Sequence, residues 1–250
     1  LSDHRLAVIT PDWQAPRRVM ALATTRVGGV SVGAYAGLNL GDHVGDDPLA
    51  VAENRRRLRD GLRLPAEPRW LQQVHGCDVA DASEEETCVA DAVIATAPGR
   101  VCAVLTADCL PVLLCDDQGA RVAAVHAGWR GLADGVIEAA IERLASPSRR
   151  LLAWLGPAIG PNAFEVGDEV RTRLMAGLSG LAADAFRPSP GGRWLADLPR
   201  LARLRLTAAG VERVSGGMFC TYSDPKRFYS YRRDGATGRM ATLVWIDTRR

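Results

Sequence analysis

The chain has 250 residues, 47% hydrophobic and 24% charged, with a formal net charge of +2. That is the composition of a soluble globular protein long enough to bury a sizeable core. Its 31 basic residues form no stripe interleaved with aromatics, and it has no run of 18 apolar residues, which argues against a nucleic-acid surface and a membrane span.

Residues 19–25 form an apolar run ending in Thr-Thr-Arg and predict a strand. It feeds a glycine-dense segment, Arg26-Val27-Gly28-Gly29-Val30-Ser31-Val32-Gly33, then Ala36-Gly37-Leu38-Asn39-Leu40-Gly41. Such a segment lets backbone N–H groups approach a ligand or take positive φ. It lacks the Gly-Lys-Ser/Thr of a P-loop and the spacing of a dinucleotide fingerprint, and a long ordered loop over a sheet edge is the competing reading. Asp47-Pro48 opens a helix with Val51, Leu58 and Leu62 at roughly helical spacing, closed by Gly61 and Pro65. Residues 69–74 predict a strand that delivers His75 to its tip.

After the acidic loop Ser83-Glu84-Glu85-Glu86, short apolar runs at 90–95, 101–106, 111–115 and 121–126 predict strands split by Pro-Gly and Asp-Asp-Gln-Gly turns. Residues 131–144 carry one helical stripe at 132, 136, 137, 140, 141 and 144. A buried strand at 151–155 leads into a rigid turn, Gly156-Pro157-Ala158-Ile159-Gly160-Pro161. Helices are predicted at 168–178 and 196–209, with a loop or connector over 187–192 between them. Strands return at 228–231 and 240–246. With no repeat, low-complexity tract or linker, one domain is expected over 1–250.

Six cysteines without regular spacing are not a secreted disulfide framework. Cys102 and Cys115, set among Val, Ala and Leu, read as small buried hydrophobes. The segment Leu1-Ser2-Asp3-His4-Arg5 lacks the features of a signal peptide, and a reducing cytoplasm is the expected compartment.

Of four histidines, His4 and His43 read as ordinary satisfied residues. His75 and His126 each end a strand-like run and are followed by Gly76 or Ala127-Gly128, which leaves room for a ligand. Cys109 sits between Asp108 and Leu110-Pro111, where one strand turns into the next. Two imidazoles and one thiolate leave a fourth position open, the stoichiometry of a catalytic zinc site. Ligation needs neutral imidazole and thiolate, so binding is expected to release a proton from the thiol. The same Cys109 and His126 equally suit a nucleophile and its base. A zinc deaminase of the cytidine type is disfavoured, because no H-x-E with P-C-x-x-C occurs.

The blocks Thr25-Arg26-Val27-Gly28-Gly29-Val30-Ser31, Leu38-Asn39-Leu40-Gly41, Gln73-Val74-His75-Gly76, Asp91-Ala92, Thr106-Ala107-Asp108-Cys109-Leu110-Pro111, His126-Ala127-Gly128-Trp129-Arg130-Gly131 and Gly156-Pro157-Ala158-Ile159-Gly160 occur in this order. Together with Cys220-Thr221-Tyr222 and Phe228-Tyr229-Ser230-Tyr231-Arg232-Arg233, they resemble the laccase-domain family. Its bacterial members are labelled polyphenol oxidase or purine nucleoside phosphorylase, and it has a human relative that is a macrophage purine enzyme. The resemblance runs from about Thr24 to Trp245.

What the resemblance implies is a zinc site on His75, Cys109 and His126. It also implies an α+β fold with a central β-sandwich of mixed sheets flanked by helices, shared at a distance with the Cys/His deamidase domain of a bacterial cytotoxin. The implied activity is phosphorolysis of purine nucleosides (adenosine, inosine, guanosine, methylthioadenosine) to base and ribose 1-phosphate, with adenosine deamination in some members. Removal of wrongly built peptidoglycan precursors has been proposed for some bacterial relatives. Copper-dependent polyphenol oxidation is disfavoured: a four-copper centre needs many more histidines than four, and one thiolate with two imidazoles also suits zinc.

For phosphorolysis, Arg26 and Arg130 are candidate bidentate phosphate ligands, with the backbone N–H groups of Gly28 and Gly29 as further donors and Asn39 as a substrate contact. Arg130 has a rival reading as a surface residue at a helix N-terminus. Asp108 is expected to orient its neighbouring ligand or simply to fill the turn. The rival functions are a cysteine hydrolase or amidase using Cys109 and His126, and a non-enzymatic zinc-binding module. The oligomeric state is left open.

Overall fold

The computed structural model describes residues 6–84, 89–178 and 180–248; His4, Glu85-Glu86 and Arg249-Arg250 lie outside the described residues. In chain order, strands β1 (Val8–Ile9) and β2 (Val19–Thr24) precede helix α1 (Pro48–Leu62). Strands β3 (Val79–Asp81), β4 (Ala92–Ala95), β5 (Val101–Thr106), β6 (Leu110–Asp116) and β7 (Val122–Ala127) follow. Then come α2 (Trp129–Asp134), α3 (Val136–Leu144), β8 (Leu151–Leu155), β9 (Glu165–Val166) and α4 (Asp168–Met175). The chain ends with β10 (Phe186–Ser189), β11 (Arg193–Ala196), α5 (Leu198–Ala208), β12 (Arg213–Gly216), α6 (Tyr231–Asp234) and β13 (Met240–Ile246).

Strand alternation sorts these elements into layers. An antiparallel sheet of order β1-β2-β13-β5 faces a mixed sheet of order β12-β8-β6-β7-β4-β3. Cys102, Val104, Val244 and Ile246 of the first sheet meet Leu113, Cys115, Val122 and Ala124 of the second. The intervening residues of β5 and β13, among them Ala103, Leu105, Leu243 and Trp245, face outward onto Leu58 of α1 and onto Leu38 and Leu40. On the far side, Val112, Leu114, Ala123 and Val125 pack under Val136, Ile137, Ala140 and Leu144 of α3. The result is the α+β sandwich of mixed sheets flanked by helices. Cys102 and Cys115 are core residues, and burial pushes both thiols up, Cys115 to about 12.

Helix α1 forms as its ends predict. The Asp47 carboxylate accepts the Leu49 N–H, Pro48 takes the first turn, and Arg63 closes the helix in the left-handed region. Elsewhere the sequence reading needs correction. The 131–144 stripe is two helices, because Gly135 at φ +102° ends α2 and opens α3. Pro190, Gly191 and Gly192 form the turn of a hairpin, with β10, which includes Pro188, and β11 paired antiparallel. Residues 228–231 are not a strand: Phe228 and Tyr229 are buried in a loop against Ala107 and Met240, and Tyr231 starts α6 behind the Ser230 cap. Residues 69–74 make only isolated bridges, with Arg69 beside Cys102 of β5, and the Gln73 side-chain amide pairs with both backbone groups of Leu105.

Two connections cross between the sheets at one rim of the sandwich. Residues 73–79 leave the edge of β5 for β3, and residues 107–109 join β5 to β6. Among the described residues no helix is long and apolar enough to cross a membrane.

Candidate active site

The two crossings and the end of β7 bring His75, Cys109 and His126 together at this rim. In the β6–β7 register Pro111 pairs with His126, and alternation along β7 turns His126 to the same inter-sheet side as Val122 and Ala124. Cys109 sits on the crossing just before β6. His75 lies in the other crossing with φ +62°, a backbone region that histidine tolerates better than most side chains. One ligand atom from each residue lies within 4.8 Å of the other two, and Cys109 Sγ is 3.8 Å from His75 Nε2. Ligands on a tetrahedral zinc stand roughly 3.3–3.6 Å apart for the usual bond lengths, so a small inward movement closes the set. These residues offer a three-ligand metal site.

Two buried aspartates hold the crossings. In the β4–β7 register Ala92 pairs with Val125, so Asp91 lies opposite His126. Asp91 Oδ1 accepts from His126 Nδ1 (2.7 Å) and the His75 N–H (2.9 Å). Its Oδ2 accepts from the N–H groups of Val74 (3.0 Å) and Gly76 (2.7 Å). One carboxylate thus orients His126, leaving Nε2 for the site, and folds the His75 turn around itself. Burial raises the Asp91 carboxyl, but the His126 and Gly76 bonds outweigh it and hold it below the usual range. Asp108, at φ +95°, accepts from Thr221 Oγ1 (2.6 Å), Ser230 Oγ (3.0 Å) and the Arg232 N–H (2.7 Å). Those bonds fix the strained turn that presents Cys109.

The charges reinforce one another. Burial pushes the Cys109 thiol up, but the charge and hydrogen bond of His126, and then those of His75, outweigh it and bring it to about 6. Burial pushes His126 down, but the Cys109 charge and the Asp91 bond raise it to about 9. Both shifts favour thiolate and imidazolium in the metal-free pair at neutral pH. In that state the proton released on metal binding leaves His126 rather than the thiol. Alkylation of Cys109 by iodoacetamide in metal-free protein is expected to level off above pH 6, whereas an ordinary thiol keeps gaining rate toward about 8.5. Mass spectrometry of the Cys109 peptide reads this, and a rate still climbing between pH 7 and 8 would exclude the ion pair.

The three residues lie in a cavity of about 500 Å³ whose wall includes Trp129, Arg130, Phe164, Arg232, Arg239 and His43. Gly128 packs closely against two of the three: a Cβ there would stand 2.9 Å from His75 Cδ2 and 3.1 Å from Cys109 Sγ. Gly128→Ala is expected to weaken metal affinity about tenfold while the melting temperature stays within a few degrees, a ligand-geometry effect of the size seen when metal ligands lose their support. Metal titration against a chelator and a thermal melt check this, and unchanged affinity counts against the tight packing at Gly128.

The other sequence-derived candidates divide. Arg130 reaches the cavity and is exposed, its guanidinium 4.5 Å over the Trp129 ring. Arg26 is not in the cavity wall; it lies over Tyr229 and donates to the carbonyls of Ala36 and Pro225. Gly28 and Gly29 are also away from the wall. A Cβ at Gly29 would stand 2.2 Å from the Gly37 carbonyl oxygen, so the close approach that demands glycine is between two arms of the same loop. Asn39 is fully buried and bonds Gly41, Asp46 and the Arg239 N–H. Asp108 supports the Cys109 turn as described. Asp91, Arg232 and Arg239 were given no role by sequence reasoning, although Asp91 and Arg232 lie in resembling blocks; His43, read as an ordinary residue of the glycine-rich loop near the site, lines the cavity.

A family model described as multi-copper polyphenol oxidoreductase laccase matches residues 20–247. The chain belongs to this family. A Pseudomonas aeruginosa relative named purine nucleoside phosphorylase is 57% identical over 241 residues, covering 96% of this chain and 98% of that one. The Escherichia coli K12 protein named purine nucleoside phosphorylase YfiH is 52% identical over the same shares. A crystal structure of a Neisseria meningitidis protein superposes with a TM-score of 0.92 at 50% identity, covering 96% of this chain and 99% of that one. Across the family match, His75, Cys109, His126 and their supports all fall inside the shared region.

Proposed function

We propose that the protein is a zinc-dependent purine nucleoside phosphorylase that cleaves adenosine, inosine, guanosine or methylthioadenosine to free base and ribose 1-phosphate, with adenosine deamination as a side activity. The observation that carries this reading is the name borne by relatives 57% and 52% identical over nearly the whole chain. The cavity supports it: about 500 Å³ lies within the range of small-molecule sites. Apolar Ile159, Phe164 and Leu198 offer a face to a purine, and Arg130 and Arg232 carry charge suited to phosphate.

Zinc is proposed over copper on the chemistry of the donors. The chain has four histidines, too few for a four-copper centre, and one thiolate with two imidazoles suits zinc. Zinc held by His75, Cys109 and His126 supplies Lewis acidity and a fixed positive charge at the cavity floor. Asp91 keeps the His126 ring in one tautomer, and Asp108 keeps the Cys109 turn in place. Arg130 steadies the phosphate while its oxygen attacks C1′ and the purine departs through a transition state of oxocarbenium character. The five described cysteines are free thiols, which suits the proposed reducing cytoplasm.

Adenine release from adenosine is expected to require inorganic phosphate and to stop on chelation. Release at the same rate without phosphate would overturn the reading. The Asp91–His126–Cys109 order favours one second reading, a cysteine hydrolase or amidase with Asp91 orienting the base. In that case chelation leaves turnover intact and iodoacetamide abolishes it.

A further inference from the structure

Arg239 occupies the last position before β13. The β13–β5 register pairs Met240 with Thr106, which sets Arg239 beside Ala107 and next to the crossing that carries Cys109. Its backbone is clamped by the loop at 39–41: Asn39 Oδ1 accepts its N–H (2.8 Å) and its carbonyl accepts the Leu40 N–H (3.1 Å). Its stem lies over Gly41, where a Cβ would stand 2.7 Å from Arg239 Cγ. The guanidinium spends one nitrogen, Nη1, on the carbonyls of Thr237 (2.8 Å) and Gly238 (3.1 Å). Nε and Nη2 have no hydrogen-bond partner among the described residues.

No carboxylate among the described residues pairs with Arg239, and the nearby ones are taken. Asp108 already accepts three bonds, Asp46 binds Ser31 and Asn39, and Asp42 pairs with Arg55 and His43. Burial works against the Arg239 charge, yet a guanidinium stays protonated. Cys109 and Asp108 offset that charge through space, but no anion bonds the Nε–Nη2 edge, and the residue lines the same cavity as His75, Cys109 and His126. Arg26 differs in that both Nε and Nη2 are already bonded to the Ala36 carbonyl.

We propose that Arg239 is the oxyanion anchor of the cavity, gripping two oxygens of a phosphate with its Nε–Nη2 edge. The choice of phosphate rests on the phosphorolysis reading; the anion site itself rests on the unpaired fork. The Asn39-Leu40-Gly41 loop then serves the site indirectly, by holding this arginine.

The test uses zinc-loaded native protein, Arg239→Gln and Arg239→Lys. Calorimetric titration with inorganic phosphate, and with sulfate as an unreactive probe, is run without nucleoside; initial rates against phosphate are measured at saturating adenosine. Loss of a charge-assisted pair is expected to weaken phosphate binding and raise its KM about 10- to 100-fold in Arg239→Gln, with the adenosine KM within about twofold. Arg239→Lys keeps the charge and stem but loses the planar fork, so an intermediate loss is expected; this variant decides the matter if the glutamine protein does not fold. Phosphate affinity within about twofold of native in the folded variants overturns the proposal, as does native protein that binds neither anion. Anion binding that depends on Arg239 in a protein that never cleaves adenosine upholds the anchor and refutes phosphorolysis.

Discussion

Cys109→Ala is expected to lose its zinc and to lower phosphorolysis at least about 1,000-fold, in line with removing a group on which the whole reaction centre depends. The site has three donors, and His126 and His75 alone leave a pair that a chelator strips readily. The fold is expected to survive, because the turn at Cys109 is fixed by the bonds of Asp108 to Thr221, Ser230 and the Arg232 N–H, none of which uses the sulfur. His126→Ala is expected to match it in activity. Metal analysis of the purified variants, paired with an adenosine assay with and without phosphate, reads both effects. Variants that keep zinc and full turnover would remove these residues from the site.

Asp91→Asn is expected to act on stability and on the metal together. The carboxylate is fully buried and accepts four hydrogen bonds, from His126 and from three consecutive N–H groups. A carboxamide offers one acceptor oxygen and turns an NH₂ toward donors that need an acceptor. Breaking a buried charged pair in this way costs about 3–5 kcal/mol, and losing the orienting partner of a histidine ligand lowers metal affinity about 10- to 100-fold. The sign for Cys109 also follows. Without the Asp91 charge the His126 imidazolium is less favoured, so the thiolate beside it is less favoured, and the alkylation midpoint moves above 6. Urea unfolding, zinc affinity and the alkylation profile measure the three effects separately. Native stability with native zinc affinity would show that the carboxylate supports neither histidine.

The candidate ligands stood out because each ends or follows an apolar run, and short apolar runs bounded by turn residues are what a buried strand looks like in sequence. The strands were readable for the same reason, from Val93 through Ala124, whereas their arrangement as a sandwich came only from the family resemblance. Asp91 was not, because its role depends on lying opposite His126, and strand register is not written in either strand alone. Arg239 was hidden by distance: the residues that aim it, Asn39 to Gly41, lie about 200 positions earlier. Arg26 misled because an arginine beside two glycines looks like a phosphate loop, whereas packing sets Gly29 against Gly37 and the guanidinium against Ala36. Residues 228–231 are aromatic enough for a strand, but Tyr229 and Ser230 spend their polar atoms on loop contacts, among them Tyr35 and Asp108.

Two of the three residues of the candidate metal site stand on the segments that pass from one sheet to the other, and the third lies near the end of a strand of the six-stranded sheet. A metal held there would make the rim a clasp as well as a candidate reaction centre. Opening it frees the ends of both layers, while the opposite edge stays closed by its own apolar packing. Metal removal is then a local mechanical event: faster amide exchange at 74–76 and 107–110, with β8 and β13 still protected. Occupancy could thus be followed from the backbone, with no substrate in the tube.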